Sequence, residues 1–152
     1  DSKPDILIIN KDEEIGITKN LVDYLKQNSN IINVKNNEEA INDAIFYRDV
    51  NYVIYIPENY RQDVLNGLNP EINIKSTGDY NASFAEMMLS RYVQIQNIYK
   101  DNIKNEELYE MIASCELYSE HPLGKAIVSS FKETSTFFVS VVSTSLNTNV
   151  LS

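Results

Sequence analysis

The stretch Asp5-Ile6-Leu7-Ile8-Ile9 decides the fold. It is a short, continuous run of branched apolar residues, which is typical of a strand that is covered on both faces of a sheet. The polar residues 10–14 end the run, and Ile17, Leu21, Val22 and Leu25 then recur at helical spacing, which predicts a helix over 16–28. A strand that leads directly into a helix predicts the beginning of a βαβ unit.

The same alternation continues through the first half of the chain. Further strands are predicted at 31–34, 51–56 and 71–75, and Pro57 ends the second of these because proline cannot donate to a sheet ladder. Asn36 is predicted to cap the helix between the first two, with Glu39 completing a capping box. The residues expected to face inward are Ile41, Ala44, Ile45 and Tyr47 on that helix, Tyr60, Val64 and Leu65 on a short helix ending at Gly67, and Ile72 and Ile74 on one face of a half-buried strand.

The second half of the chain has a more helical pattern. Ser83 and Glu86 form a second predicted capping box, which opens a long helix over 83–101. Two more helices are predicted to begin at Asn105 and Pro122, followed by a β-branched strand at 136–142 and a frayed tail. The apolar stripes of these helices are Phe84, Met88, Tyr92, Ile95 and Tyr99; Leu108, Met111, Ile112 and Cys115; and Leu123, Ile127 and Phe131.

The prediction is therefore an α/β fold: a small, mostly parallel sheet with βαβ crossovers and a helix-rich C-terminal half. With 152 residues the chain is the size of one domain. We expect residues 1–152 to form a single soluble domain, with a βαβ core over 3–100, a helical segment over 101–133, and a strand and tail over 134–152.

Composition excludes several function classes. The chain has one cysteine and one histidine, which excludes an internal disulfide and a zinc site built from several such ligands. The formal net charge of −9 argues against nucleic-acid binding, because a polyanion would be repelled. No run of residues approaches the about 20 apolar residues of a membrane span.

The loop over 10–14 is the first candidate site, because ligands of open α/β sheets bind where strands end. It lacks a glycine-rich phosphate motif, and its acids have two interpretations: Asp12 and its neighbours bind a divalent cation, or they form a solvated loop whose charges favour the following helix. We favour the solvated loop, and we expect no metal and no cofactor.

The remaining candidates give no catalytic constellation. His121 and Cys115 have no catalytic partner, since neither Ser114 nor Ser119 completes a triad, and we expect structural roles for both. Met87 and Met88 are predicted core residues. Six tyrosines could line a sugar- or peptide-binding face, or be half-buried with a wet hydroxyl: Tyr52, Tyr55, Tyr60, Tyr80, Tyr92 and Tyr99.

Residues 3–100 resemble a known family. The order of segments is a strand ending in Asn10-Lys11-Asp12, then Leu21 to Leu25, then Asn37 to Arg48, then Tyr52 to Pro57, followed by Tyr60, Asp63, Leu65 and Gly67. This order is similar to the extracytoplasmic domain of type 2 ABC-transporter permeases.

The resemblance implies a non-catalytic domain on the extracellular face of the plasma membrane. The near-absence of cysteine fits either the outer face of a Gram-positive bacterium or the cytosol. The domain would contribute to export gating or contact cargo or a partner. The partners implied are the permease's membrane helices, which we expect beyond both chain ends, an ATP-binding subunit that hydrolyses ATP, and a second permease half that forms a dimer.

A second, shorter resemblance covers residues 106–132. The run Ser119-Glu120-His121-Pro122-Leu123-Gly124-Lys125-Ala126-Ile127-Val128 is similar to the nucleotide-domain helix of heavy-metal P-type ATPases. In that family the histidine of the His-Pro pair contacts adenine, which would make His121 the cofactor-binding residue under this alternative. The family's phosphorylation motif, nucleotide loop and metal-binding cysteine pair are missing from this sequence. A third hypothesis is a solute-binding domain that uses the tyrosines.

Overall fold

A computed structural model describes residues 3–102 and residue 127 of the chain. The chain divides into two compact units, Asp1–Val93 and Gln94–Ser152. The single-domain organisation and its internal boundaries stay predictions. The described elements, in chain order, are β1 Asp5–Asn10, α1 Gly16–Asn28, β2 Asn30–Ile31, α2 Glu38–Phe46, β3 Tyr52–Ile56, α3 Tyr60–Leu65, β4 Asn73–Ser76 and α4 Tyr80–Asn102.

The first unit is built on a four-stranded sheet with strand order β2-β1-β3-β4. Strand β1 is parallel to both β2 and β3, and Ile8 lies opposite Ile54 in the β1–β3 register. The prediction of an α/β fold with a mostly parallel sheet is confirmed. Strand β2 has two residues, so the prediction of a strand over 31–34 is correct only in its first residue.

Strand β4 runs antiparallel to β3. Strand β4 starts beside the end of β3, with Asn73 opposite Tyr55 and Ser76 opposite Tyr52, so the chain pairs with β3 without first returning to its other end. The prediction that this strand is half-buried is wrong, because Ile74 is exposed and three of the four residues of β4 are exposed.

Core residues alternate between the two faces of the sheet. Leu7, Ile9 and Val53 form one core cluster with Ile41 and Ala44 of α2. Because successive side chains of a strand point to opposite faces, Ile6 and Ile54 lie on the other face. The crossover from β1 through α1 to β2 and the crossover from β2 through α2 to β3 run in opposite directions along the sheet, so their right-handedness places α1 and α2 on opposite faces. Helix α1 contributes its buried residues Ile17, Leu21, Val22 and Leu25.

Two predicted helix caps are wrong. The side chain of Asn37, not Asn36, caps α2 by accepting a hydrogen bond from the amide of Ala40 at 2.8 Å. Helix α4 begins earlier than predicted because Asp79 accepts from the amide of Ala82 at 2.9 Å. Ser83 lies inside that helix, where its hydroxyl donates to the carbonyl of Asp79 at 3.1 Å.

Several side chains predicted to face inward are exposed. Tyr47 is 68% exposed because it follows the last residue of α2, and Phe84 and Met87 are 41% and 54% exposed. Within the first unit, the buried stripe of α4 is Ala82, Ala85, Met88, Leu89 and Tyr92. Met88 and Tyr92 of the predicted stripe are buried as expected, whereas the prediction for Phe84 is wrong because the small Ala82 and Ala85 carry the contact at the start of the helix.

In the second unit, the structure describes the end of α4 and residue 127. Tyr99 is buried, and Ile127 is helical and buried, as the stripe of the last predicted helix requires. The helix predicted from Asn105 and the strand at 136–142 lie outside the described residues.

Candidate functional site

The candidate site lies between the carboxyl ends of β1 and β3. The chain leaves β1 toward β2 on one side, and β3 lies on the other side, so this is the point where the strand order reverses. Ligands of open α/β sheets bind at such a point. The loop after β1 joins it closely, since the amide of Lys11 donates to the carbonyl of Ile56 at 3.0 Å.

Asp12 is the centre of this site. One carboxylate oxygen accepts from the Thr18 hydroxyl at 2.7 Å and from the Arg61 amide at 3.0 Å. Thr18 is fully buried on α1, and Arg61 is in the first turn of α3. The amide of Asp12 itself donates to the side-chain oxygen of Asn10 at 3.0 Å, which closes a tight turn after β1. Asp12 therefore joins the β1 loop, α1 and α3.

Asp12 replaces a cap that α3 lacks. Asn59 precedes α3 in the left-handed region, with a φ of 60°, and makes no side-chain capping hydrogen bond. The first amides of a helix need an acceptor, and a carboxylate is also favoured there by the helix dipole. The Asp12 carboxylate supplies the acceptor and the negative charge, from a position 49 residues before Arg61.

The hydrogen bonds around Asp12 change its acidity. Partial burial by itself would raise the pKa of Asp12, but hydrogen bonds from the Arg61 amide, the Thr18 hydroxyl and the amides of Glu13 and Asn59 outweigh it. The pKa of Asp12 is therefore lowered from its ordinary value of 3.8. Donors that favour the charged form have this effect because they stabilise the carboxylate and not the acid.

The two interpretations of the acidic loop, a divalent-cation site and a solvated loop, did not include the role of Asp12 as an acceptor for α1 and α3. Glu13 and Glu14 are exposed, as a solvated loop requires, and Glu14 lies 4.0 Å from Lys26. Asp12, in contrast, is half-buried and held by protein donors. Across residues 3–102 and residue 127, no three His, Cys, Asp or Glu side chains come together in a way that could hold a metal ion.

The six candidate tyrosines do not share one surface. Tyr52, Tyr60 and Tyr92 are at most 2% exposed and belong to the core of the first unit. The Tyr92 ring packs against Tyr24 with centroids 5.3 Å apart, and its hydroxyl donates to the Asn20 side chain. Burial raises the pKa of Tyr92 well above its usual range. Tyr55 is half-buried, Tyr80 is exposed, and Tyr99 is buried in the second unit.

A different group of side chains is exposed near the amino end of β3, where α2 ends and α4 begins. Phe46 and Tyr47 are 77% and 68% exposed, and their rings form an edge-to-face pair with centroids 5.0 Å apart. Arg48, the next residue, contacts Asp79 at 3.0 Å, which brings the end of α2 to the start of α4. We call the exposed apolar residues at the end of α2 and on α4 the aromatic surface: Phe46, Tyr47, Tyr80, Phe84 and Met87. This surface has two separate parts, because α4 packs against Tyr24 of α1, and α1 and α2 lie on opposite faces of the sheet.

The sequence analysis did not identify the aromatic surface because its helical patterns placed Tyr47, Phe84 and Met87 in the core. The available signal is on α4, where Tyr80, Phe84 and Met87 recur at steps of four and three, and where Ala82 and Ala85 form a separate stripe. Two apolar stripes on one helix indicate two contact faces.

His121, Cys115, Ser114 and Ser119 lie outside the described residues. None of the helices in the described part of the chain is both long enough and apolar enough to cross a bilayer. No protein-family model, no curated protein and no solved structure matches the chain.

Proposed function

We propose that this chain is a non-catalytic extracellular domain of a type 2 ABC-transporter permease, which contributes to export gating or contacts cargo or a partner. The observation that carries the proposal is the ordered resemblance over residues 3–100. Its partners would be the permease's membrane helices, an ATP-binding subunit and a second permease half.

The structural roles of the resembling residues support the proposal. Ile56 is the last residue of β3 and Pro57 follows it, Tyr60 is 1% exposed at the start of α3, and Gly67 ends that turn with a φ of 80°. Such residues fix a strand–turn–helix geometry, so a family that shares this fold would keep them in the same order. The resemblance is therefore of the kind expected from a shared fold.

The site between β1 and β3 has a structural role, and the aromatic surface is the feature that supports a role in contacts. Its acid, Asp12, accepts hydrogen bonds from Thr18 and Arg61 and so stabilises the fold. The aromatic surface, in contrast, exposes apolar side chains on two elements that an ion pair joins. Exposed apolar groups of this kind are typical of surfaces that contact another molecule.

Cysteine labelling of the complete gene product in intact source cells tests the proposal. Cys115 is first replaced by serine, and a membrane-impermeant maleimide then probes Leu68→Cys, at a position that is 56% exposed. The matched control is Ala85→Cys, at a position that is 1% exposed. We expect Leu68→Cys to react in intact cells, in the membrane fraction, and Ala85→Cys to react only after denaturation.

Labelling of Leu68→Cys only after cell lysis would contradict the extracellular location. A second measurement tests the partners: purification of the gene product from detergent-solubilised membranes should recover an ATP-binding protein in a fixed ratio. Recovery of the gene product alone, from membranes whose other complexes stay intact, would contradict the permease assignment.

The two alternative functions have their own test. Titration of the chain with ATP, followed by NMR amide shifts, separates the permease domain from a nucleotide-binding fragment. The permease proposal predicts no saturable shifts. Saturable shifts that His121→Ala abolishes would support the P-type ATPase alternative. A solute-binding domain predicts saturable shifts with a small sugar or peptide at residues around the carboxyl ends of the strands.

A further inference from the structure

The turn that follows α3 contains a chemically reactive pair of residues. Asn66-Gly67 is the only place in the sequence where glycine follows asparagine. Glycine has no Cβ, so its main-chain nitrogen is the least hindered nucleophile that can follow an asparagine side chain. Both residues are exposed, and a Cβ placed on Gly67 would meet no atom within 4 Å. Water therefore has access to this pair.

Two other asparagines of the described part of the chain precede small residues, but neither pair is accessible in the same way. Ser29, which follows Asn28, is 6% exposed, and Ala82, which follows Asn81, is 0% exposed. The side-chain amide of Asn28 also donates to the carbonyl of Tyr24 at 2.8 Å. Asn28 is therefore a natural internal control for Asn66.

The folded conformation of Asn66 prevents ring closure with the next nitrogen. Its ψ of 5° makes the Gly67 nitrogen eclipse the backbone nitrogen of Asn66, a third of a turn away from Cβ. A five-membered ring needs that nitrogen on the Cβ side. The Gly67 amide also donates to the carbonyl of Val64 at 3.0 Å. The Asn66 side-chain oxygen accepts from Gln62 at 3.5 Å, which is too long a contact to hold the side chain in place.

Ring closure therefore requires the last turn of α3 to open, and this opening depends on Asp12. A six-residue helix forms too few hydrogen bonds to be stable alone, so its first and last turns open together. The Arg61 amide in the first turn donates to the Asp12 carboxylate at 3.0 Å. This contact holds the whole helix closed, including the turn that carries Asn66.

We propose that Asn66 is a site of spontaneous deamidation and that the Asp12 cap on α3 sets its rate. The Gly67 nitrogen loses its proton and attacks the side-chain carbonyl carbon of Asn66. The new N–C bond closes a five-membered imide while the bond to the side-chain nitrogen breaks, and that nitrogen leaves as ammonia. Water then opens the imide at either carbonyl, which gives aspartate or isoaspartate. One water is consumed, one ammonia is released, and no oxidant is needed.

The modification would weaken the helix that controls it. Either product places a new carboxylate at the carboxyl end of α3, where the helix dipole disfavours negative charge. Isoaspartate also lengthens the backbone by one carbon in a turn where Gly67 has a φ of 80°. The inference goes beyond the proposed function and does not depend on it, since the reaction involves only this chain and water.

Peptide mapping by mass spectrometry of the complete chain, incubated in mildly alkaline buffer, tests the site. We expect the first gain of one mass unit within residues 3–102 at Asn66, with both aspartate and isoaspartate products. The same chain unfolded in guanidinium chloride should react faster at Asn66, and Asn66→Gln should not react there. A first gain at another asparagine, or equal rates in the folded and unfolded chain, would overturn the proposal.

A pair of variants tests the control by Asp12. Asp12→Ala should accelerate the reaction at Asn66 by about two- to thirtyfold, which is the range expected for loss of a helix cap, and the matched Glu13→Ala should leave the rate unchanged. Asn28 should react at its wild-type rate in both variants. An unchanged rate at Asn66, or equal acceleration at Asn66 and Asn28, would overturn the proposal.

Circular dichroism first checks that Asp12→Ala is folded. If it is not, Asp12→Asn replaces it, because the asparagine keeps an acceptor of the same shape and loses only the charge. This variant should give a smaller acceleration, again at Asn66 and not at Asn28, and a wild-type rate at Asn66 would overturn the proposal. None of these measurements depends on where the chain lies in the cell, so their failure and failure of the permease proposal can be told apart.

Discussion

Replacement of Asp12 by alanine removes the only described acceptor that joins α1 and α3. The Thr18 hydroxyl is fully buried and donates to Asp12 at 2.7 Å, and the Arg61 amide donates at 3.0 Å. Loss of a cap costs about 0.5–2 kcal/mol, and a buried donor left unpaired costs about 1–3 kcal/mol. We expect Asp12→Ala to lower the free energy of unfolding by about 2–4 kcal/mol.

Urea denaturation at neutral pH, followed by circular dichroism, measures this loss. The matched control is Glu13→Ala, at the neighbouring exposed acid, which should change the free energy of unfolding by less than about 0.5 kcal/mol. Thr18→Val removes the buried donor, so the double variant should be more stable than the sum of the two single effects predicts. An Asp12→Ala effect equal to that of Glu13→Ala, or strict additivity with Thr18→Val, would refute the role of Asp12.

The difference in free energy of unfolding between the wild type and Asp12→Ala has a defined pH dependence. The pKa of Asp12 is lower in the folded chain than its ordinary value of 3.8. The stabilisation is therefore fully present above that value and is lost as the pH falls through the pKa of the folded state. We expect the stability difference between wild type and Asp12→Ala to be constant near neutral pH and to shrink below pH 3.8. A difference that grows on acidification contradicts the sign of the shift.

Three further predictions follow from the described contacts. Asp79→Ala should lower the free energy of unfolding by about 1 kcal/mol because it removes the α4 cap, whereas Ser83→Ala should have little effect; equal effects in urea denaturation would contradict this. Burial, with Glu86 nearby, raises the pKa of Tyr52 to about 12, so stability should fall above about pH 10, and Tyr52→Phe should reduce that alkaline loss in denaturation at graded pH. Ile54→Ala should cost about 2–5 kcal/mol, since Ile54 is fully buried; a thermal scan that shows no change would refute its place in the core.

Strong local patterns in the sequence predict much of this fold. The apolar runs of β1 and β3 and the helical spacing of α1 give those elements within one residue of their observed bounds. The predictions fail where side chains compete for one role. Asn36 and Asn37 are equally good caps by sequence, and Ser83 resembles a cap until Asp79 takes that place. The antiparallel direction of β4 depends on where the chain runs after α3, which spacing alone did not reveal.

The candidate site was harder to predict for a different reason. The contacts of Asp12 join residues 6 and 49 positions apart, and no local pattern records a contact over that distance. The aromatic surface was missed because an apolar residue at helical spacing is usually a core residue. Only the burial of Ala82 and Ala85 identifies which of the two stripes of α4 faces inward.

The remote cap of α3 has a consequence for the order of folding. A six-residue helix is too short to form alone in water, and its acceptor lies 49 residues earlier in the chain. Helix α3 can therefore form only after β1 and β3 have paired and brought the Asp12 loop beside it. We expect α1 and the β1–β3 pair to form early in folding and α3 to form late. In Asp12→Ala, loss of the Arg61 contact should therefore accelerate unfolding, whereas loss of the Thr18 contact with the early-formed α1 should slow folding.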